Sequence, residues 1–143
     1  MNPKNRFAAK FLSRSENVGI ARIAAAAFAS QVDMTVSEIE EIKVAVSEAV
    51  TNAIVHGYKE KPGEVEMMMY LFEDRLEFVI RDFGKGIEDV ALARKPASTT
   101  DPDRMGLGFA FMESFMDDLE VISQPGQGTT VRMTKKISFG QAH

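Results

Sequence analysis

In "SEAVTNAIVHGY" (47–58) a carboxylate, an amide and an imidazole recur at four-residue spacing, as Glu48, Asn52 and His56. Residues four apart are neighbours on a helix surface, so the three would share one side of a helix. The amide oxygen of Asn52 suits a hard cation such as Mg²⁺, which takes oxygen ligands and completes its octahedron with phosphates and water. Glu48, one turn away, is placed to receive the proton of an attacking hydroxyl or water. The plainer reading of that pair is a solvated helix flank. For His56 it is a structural cap, set against contact with a phosphate.

Three later stretches could hold a ligand. In "RDFGKGI" (81–87) Asp82 ends a strand, and Gly84 and Gly86 follow at alternate positions. Such a carboxylate can accept from an amino group such as that of adenine, and glycine lets a ligand come close to the backbone. A tight turn explains the pattern equally. In "DRMGLGFAFM" (103–112) Gly106 and Gly108 sit where a loop turns into a helix, so free amides can face an anion, with Arg104 adding charge against phosphate oxygens. Glycines for close helix packing are the alternative there. "GQGTTV" (126–131) offers the hydroxyls of Thr129 and Thr130, or simply a hairpin. Neither GxxxxGK[ST] nor GxGxxG occurs, which disfavours Walker and Rossmann nucleotide sites.

The elements that must position these residues follow from periodicity. A first strand is expected at 6–12. Ser13 and Glu16 have capping-box spacing ahead of a helix whose face is Ile20, Ile23, Ala24, Ala27 and Phe28. A second box, Thr35 to Glu38, opens a helix with the stripe Ile39, Ile42, Val46, Ala49, Val50 and Ala53, and Glu48 and Asn52 point away from it. Gly57 and the following "KEKPG" end that helix. Strands 64–72 and 75–82 alternate, with Val65, Met67, Met69, Leu71, Leu76, Phe78 and Ile80 on one face. A tight hairpin joins them. Residues 83–105 lack periodicity and read as a lid or binding loop. A helix near Gly106 carries Phe109, Met112 and Met116, and a final hairpin closes the fold. The sum is an α/β (α+β) two-layer sandwich, a mostly antiparallel sheet with helices on one face.

The chain of 143 residues fits a single domain spanning 1–143. A net charge of −4 disfavours direct nucleic-acid binding. With no cysteine, thiolate chemistry is excluded. The longest apolar run, 23–29, is too short for a membrane span, and the polar N-terminus lacks a signal peptide's apolar stretch. A cytoplasmic protein with no membrane contact is expected.

Taken in order, "SEAVTNAIVHG", "RDFGKGI", "GLGFAFM" and "GTTV" resemble the N, G1, G2 and closing threonine motifs of the GHKL superfamily, whose ATP site is the Bergerat fold. Nearly the whole chain resembles the small bacterial serine kinases that act as anti-sigma factors, above all the sporulation type. The resemblance implies an ATP-dependent protein-serine kinase, with ATP/ADP and Mg²⁺ as cofactors. It would hold a sigma factor as a homodimer and phosphorylate an anti-anti-sigma (STAS-type) antagonist. It implies Glu48 as general base and Asn52 as the Mg²⁺ ligand. Asp82, with Thr130 or Thr129, would read adenine, and Gly84 and Gly86 would leave room for the base. Gly106 and Gly108 would donate amides to phosphates, and Arg104 would approach the γ-phosphate or the incoming partner. Arg22 on the first helix is the implied partner contact. The alternatives are a stress-response-type anti-sigma kinase, or a nucleotide-gated sigma-binding module that transfers no phosphate.

Overall fold

A computed structural model describes residues 2–58, 61–95 and 105–137. Five strands run β1 (Asn5–Leu12), β2 (Glu64–Leu71), β3 (Arg75–Asp82), β4 (Asp118–Gln124) and β5 (Gly128–Lys136). They form one sheet in the order β1-β2-β3-β5-β4, and every neighbouring pair is antiparallel. Helices α1 (Glu16–Ala29), α2 (Val36–Asn52) and α4 (Met105–Phe115) cover one face, and a short α3 (Val90–Ala93) precedes α4. Among the described residues no helix is long and apolar enough to cross a membrane. The two-layer α+β sandwich expected from alternation is therefore what forms.

Alternation works strand by strand. Val65, Met67, Met69 and Leu71 of β2 and Leu76, Phe78 and Ile80 of β3 are buried against the helices, as are Val131 and Met133 of β5. Phe109 and Met112 from α4 and Ile42, Val46 and Val50 from α2 complete this core. Phe72 N–H bonds the Arg75 carbonyl at 2.8 Å and closes the hairpin between β2 and β3. Val79 departs from the pattern: it faces away from the helices yet is buried, between Met68 and Arg132 in the register.

Helix α1 corrects two expectations. Ser13 caps nothing; its hydroxyl accepts from the Gly63 N–H at 2.9 Å, while Glu16 pairs with Arg14 at 3.0 Å. The buried face is Ala21, Ala25, Phe28 and Ala29, whereas Ile20 and Ile23 are each 67% exposed. The segment is apolar nearly all round, so periodicity could not choose between faces. The packing does: small alanines let α1 approach α2 closely, and the isoleucines are left outward.

At the second box the expectation holds in full. Thr35 Oγ1 accepts from the Glu38 N–H at 3.0 Å, and the Glu38 carboxylate accepts from the Thr35 N–H at 2.9 Å. Thr35→Ala is expected to lower the unfolding free energy by about 1 kcal/mol. Ser15→Ala, at an N-cap whose side chain accepts from no helix N–H and makes only an exposed 3.4 Å bond to Glu16, should change it by less than about 0.5 kcal/mol. Urea denaturation of both variants reads the contrast.

Candidate functional site

The site is built where the end of α2 meets the end of β3. After Asn52 the helix widens into a π-helical turn, Ala53–Gly57, a feature frequent at functional sites. His56 is buried in this turn and Gly57 closes it. Gly57 ends the helical segment, as the sequence suggested, without a positive φ, and its lack of a side chain serves close approach. A methyl group there would stand 2.8 Å from Asp82 Cγ. Reciprocally, a methyl group at Gly84 would overlap the Gly57 carbonyl, which accepts from the Lys85 N–H at 3.0 Å.

Asp82 is therefore buried under the π turn. Burial raises its carboxyl above the ordinary 3.8, partly offset by bonds accepted from the Gly84 and Thr129 N–H groups. Thr129 pairs with Asp82 across β3 and β5 and is buried beside it. Thr130 is corrected by the same register: it sits opposite Arg81, on the face away from the helices. The period of two allows only one of adjacent threonines into the site.

Asn52, His56, Gly57, Asp82, Gly86 and Thr129 line one cavity of about 20 Å³, with Met105 and Phe109 also in its wall. That space holds about one water molecule. Asn52 also meets α4 together with Glu48, which lies outside that lining: a methyl group at Gly108 would stand 3.0 Å from a Glu48 carboxylate oxygen and 3.3 Å from both Asn52 amide atoms. The Asn52 Nδ2 is buried without a hydrogen-bond partner. Such an orphan is costly, and a polar ligand at the mouth of the pocket would satisfy the amide. Gly106 and Gly108 both lie in the first turn of α4. Gly108 faces Glu48 and Asn52, while Gly106 packs against the Lys95 carbonyl. Arg22 is exposed on α1. Arg104 lies outside the described residues.

Two site residues carry no motif signal. The Tyr58 hydroxyl accepts from the Phe83 N–H at 2.7 Å and donates to the Glu64 carbonyl at 2.6 Å, so it ties the loop after β3 to the start of β2. Burial pushes the phenol up, partly offset by the Phe83 N–H, and carboxylates at Asp82, Glu64 and Glu66 push it further. It thus keeps the proton it donates. Ser123 on β4 touches both Ile87 and Thr129. Only its contacts across the sheet distinguish it from any other strand serine.

Residues 11–135 match the model of the Histidine kinase-like ATPase domain. The chain belongs to the histidine kinase-like ATPase family. Within it, the chain is 49% identical over 139 residues to an anti-sigma F factor of Caldanaerobacter subterraneus, covering 96% of this chain and 97% of that protein. It is 46% identical over 142 residues to the anti-sigma F factor of Bacillus subtilis, with 97% of each covered. In fold it is similar to the histidine kinase domain of a blue-light activated histidine kinase from Erythrobacter litoralis, with a TM-score of 0.56 and 20% identity. That likeness covers 85% of this chain and 59% of the other.

Two outcomes are expected from this geometry. Gly84→Ala forces the loop off the Gly57 carbonyl and should abolish nucleotide binding by this histidine kinase-like domain, read by calorimetry. Because Asp82 has a raised folded pKa, its contribution to stability is largest below 3.8 and is lost as pH rises through the folded value. Asp82→Asn lacks that loss. Its stability relative to the parent should therefore climb with pH above 3.8, read by urea denaturation across that range.

Proposed function

We propose that the chain binds ATP with Mg²⁺ in this pocket, phosphorylates a serine of an anti-anti-sigma (STAS-type) protein, and acts as a homodimeric anti-sigma factor on a sporulation-type sigma factor in the cytoplasm. The observation that carries the reading is the orphaned Asn52 Nδ2, a buried donor near Glu48 that an acceptor such as a phosphate oxygen would satisfy. The sigma-factor partner is carried over from the anti-sigma F factors to which the chain is similar over nearly its whole length.

The residues divide the ligand between them. Asp82 and Thr129 would hold the amino edge of adenine, and Gly84 and Gly86 would leave the base its room. Asn52 would offer its amide oxygen to Mg²⁺, which takes its remaining oxygens from phosphates and water. An ion held there would supply charge neutralisation for the transferring phosphoryl group. Free amides at the first turn of α4, those of Gly106 and Gly108, would face the phosphates, and Arg104 would approach the γ-phosphate or the partner. Glu48 takes the proton of the incoming serine as its Oγ bonds the γ-phosphorus and the β–γ bridging bond breaks, with the electron pair leaving on ADP.

The outward face of α1 supports the assembly. Ile20 and Ile23 are exposed there, and Phe7 and Leu12 of the edge strand β1 are each 54% exposed. Apolar surface of this kind marks an interaction site, and a second copy of the chain is the proposed occupant. Arg22, exposed between the two isoleucines, is the proposed contact for sigma factor or antagonist.

Glu48→Gln should keep ATP affinity near that of the parent and lose roughly 10²–10⁴-fold in transfer rate. The assay is labelled ATP, Mg²⁺ and the candidate antagonist, followed by phosphoserine mapping. Unchanged transfer removes Glu48 as the base, and nucleotide binding without any phosphoserine leaves the non-catalytic sigma-binding module instead. Ile23→Glu should convert a dimer to a folded monomer by light scattering; a parent that is already monomeric overturns the homodimer.

A further inference from the structure

Ser123 is the hub through which the hairpin of β4 and β5 meets the loop after β3. Its Oγ accepts from the Ile87 N–H at 2.7 Å, donates to the Gly128 carbonyl at 3.1 Å, and lies 2.8 Å from Thr129 Oγ1. The Gly126 N–H adds a further tie, to the Lys85 carbonyl at 2.7 Å. Gly86 holds a positive φ of 76°, and a side chain there would overlap the Gln124 carbonyl.

A serine hydroxyl has one proton and two lone pairs. The Ile87 N–H occupies one lone pair. A carbonyl can only accept, so the Ser123 proton goes to Gly128. What remains for Thr129 is the second lone pair, and Thr129 must therefore donate its own proton to Ser123. This is the one arrangement that uses all three contacts. It leaves Thr129 with lone pairs alone to turn toward the pocket, beside the acceptor oxygens of Asp82.

We propose that Ser123 is a positioning residue for base selection: by taking the Thr129 proton it makes Thr129 an obligate acceptor, so that the pocket end selects a base edge bearing an exocyclic amine. An amine supplies N–H groups to both acceptors. A base with a carbonyl at the same place sets its oxygen against two acceptors and leaves buried polar groups unpaired, which a polar site rejects more strongly than it rejects a change of size. The inference rests on the ATP site proposed above and names how that site tells purines apart.

The test compares the dissociation constants of ATP and inosine triphosphate, both with Mg²⁺, by calorimetry on the full chain. The parent should prefer ATP. Ser123→Ala frees the Thr129 proton to meet a carbonyl, and the preference should fall roughly three- to tenfold, the scale of one neutral hydrogen bond. Ser123→Thr keeps a hydroxyl and should keep the preference. In a Thr129→Val background, Ser123→Ala should change the preference no further, since its action runs through Thr129. Should Ser123→Ala fail to fold, Ser123→Cys fills nearly the same space with a weak donor and acceptor and should show the same fall. Equal weakening of both nucleotides, with their ratio unchanged, overturns the proposal and leaves Ser123 a structural tie. A parent that binds neither nucleotide overturns the ATP site itself, which separates the two failures.

Discussion

The site depends on one contact between backbone and backbone: the end of the π turn at Gly57 pressed against the strand end at Asp82 and the loop at Gly84. No side chain fits on either glycine, because each would meet the other's partner, the Asp82 carboxyl on one side and the Gly57 carbonyl on the other. The Lys85 N–H bond to that carbonyl holds the approach, and the Tyr58 hydroxyl reinforces it one residue further on. Because helix and strand meet this closely, a carboxylate at a strand end is buried under a helix end.

Small residues set the spacing elsewhere in the helical layer as well. Ala21, Ala25 and Ala29 carry α1 onto α2, and Gly108 brings the first turn of α4 over Glu48 and Asn52. Larger side chains fill the space beneath: Phe78, Phe109, Met67, Met69, Met112 and Met133 are fully buried. Methionine adapts to irregular gaps, which suits a layer whose helices are held at unequal distances from the sheet. Lys135 closes the far end, donating to the Phe115 carbonyl at the C-terminus of α4 and to Glu41 of α2. Its cation sits where a helix C-terminus favours positive charge.

The two ends of the pocket obey different rules. At the Asp82 end, the polar groups are paired with backbone and with one another, so their orientation is settled before a ligand arrives. At the Asn52 end a buried amide has no partner, and its hydrogen bonding is left for a ligand to complete. Preorganised groups at Asp82 and an unmet donor at Asn52 fit the proposed nucleotide site, in which the first would identify the base and the second would meet the phosphates.

Much of this was legible in the sequence. Period-two alternation determined the strands and their inward faces, the Thr35–Glu38 box determined where α2 begins, and the spacing of Glu48 and Asn52 determined that they share a helix flank. The ordered glycine motifs pointed to the family. Local chemistry suffices for these, since each depends on residues a few positions apart. The rest depends on which surfaces meet. An all-round apolar α1 could bury either side, and only contact with α2 chose alanine over isoleucine. Adjacent threonines are equivalent until the register of β3 and β5 turns Thr129 toward Asp82. Gly57 reads as a cap until Asp82 arrives against it, and Ser123 reads as nothing until Ile87 and Thr129 reach it from other elements. The sequence by itself determined the elements and the reactive groups they carry. Tertiary structure alone decided which of those groups face one another, because hydrogen bonding and close approach between distant residues exist only once the layers have packed.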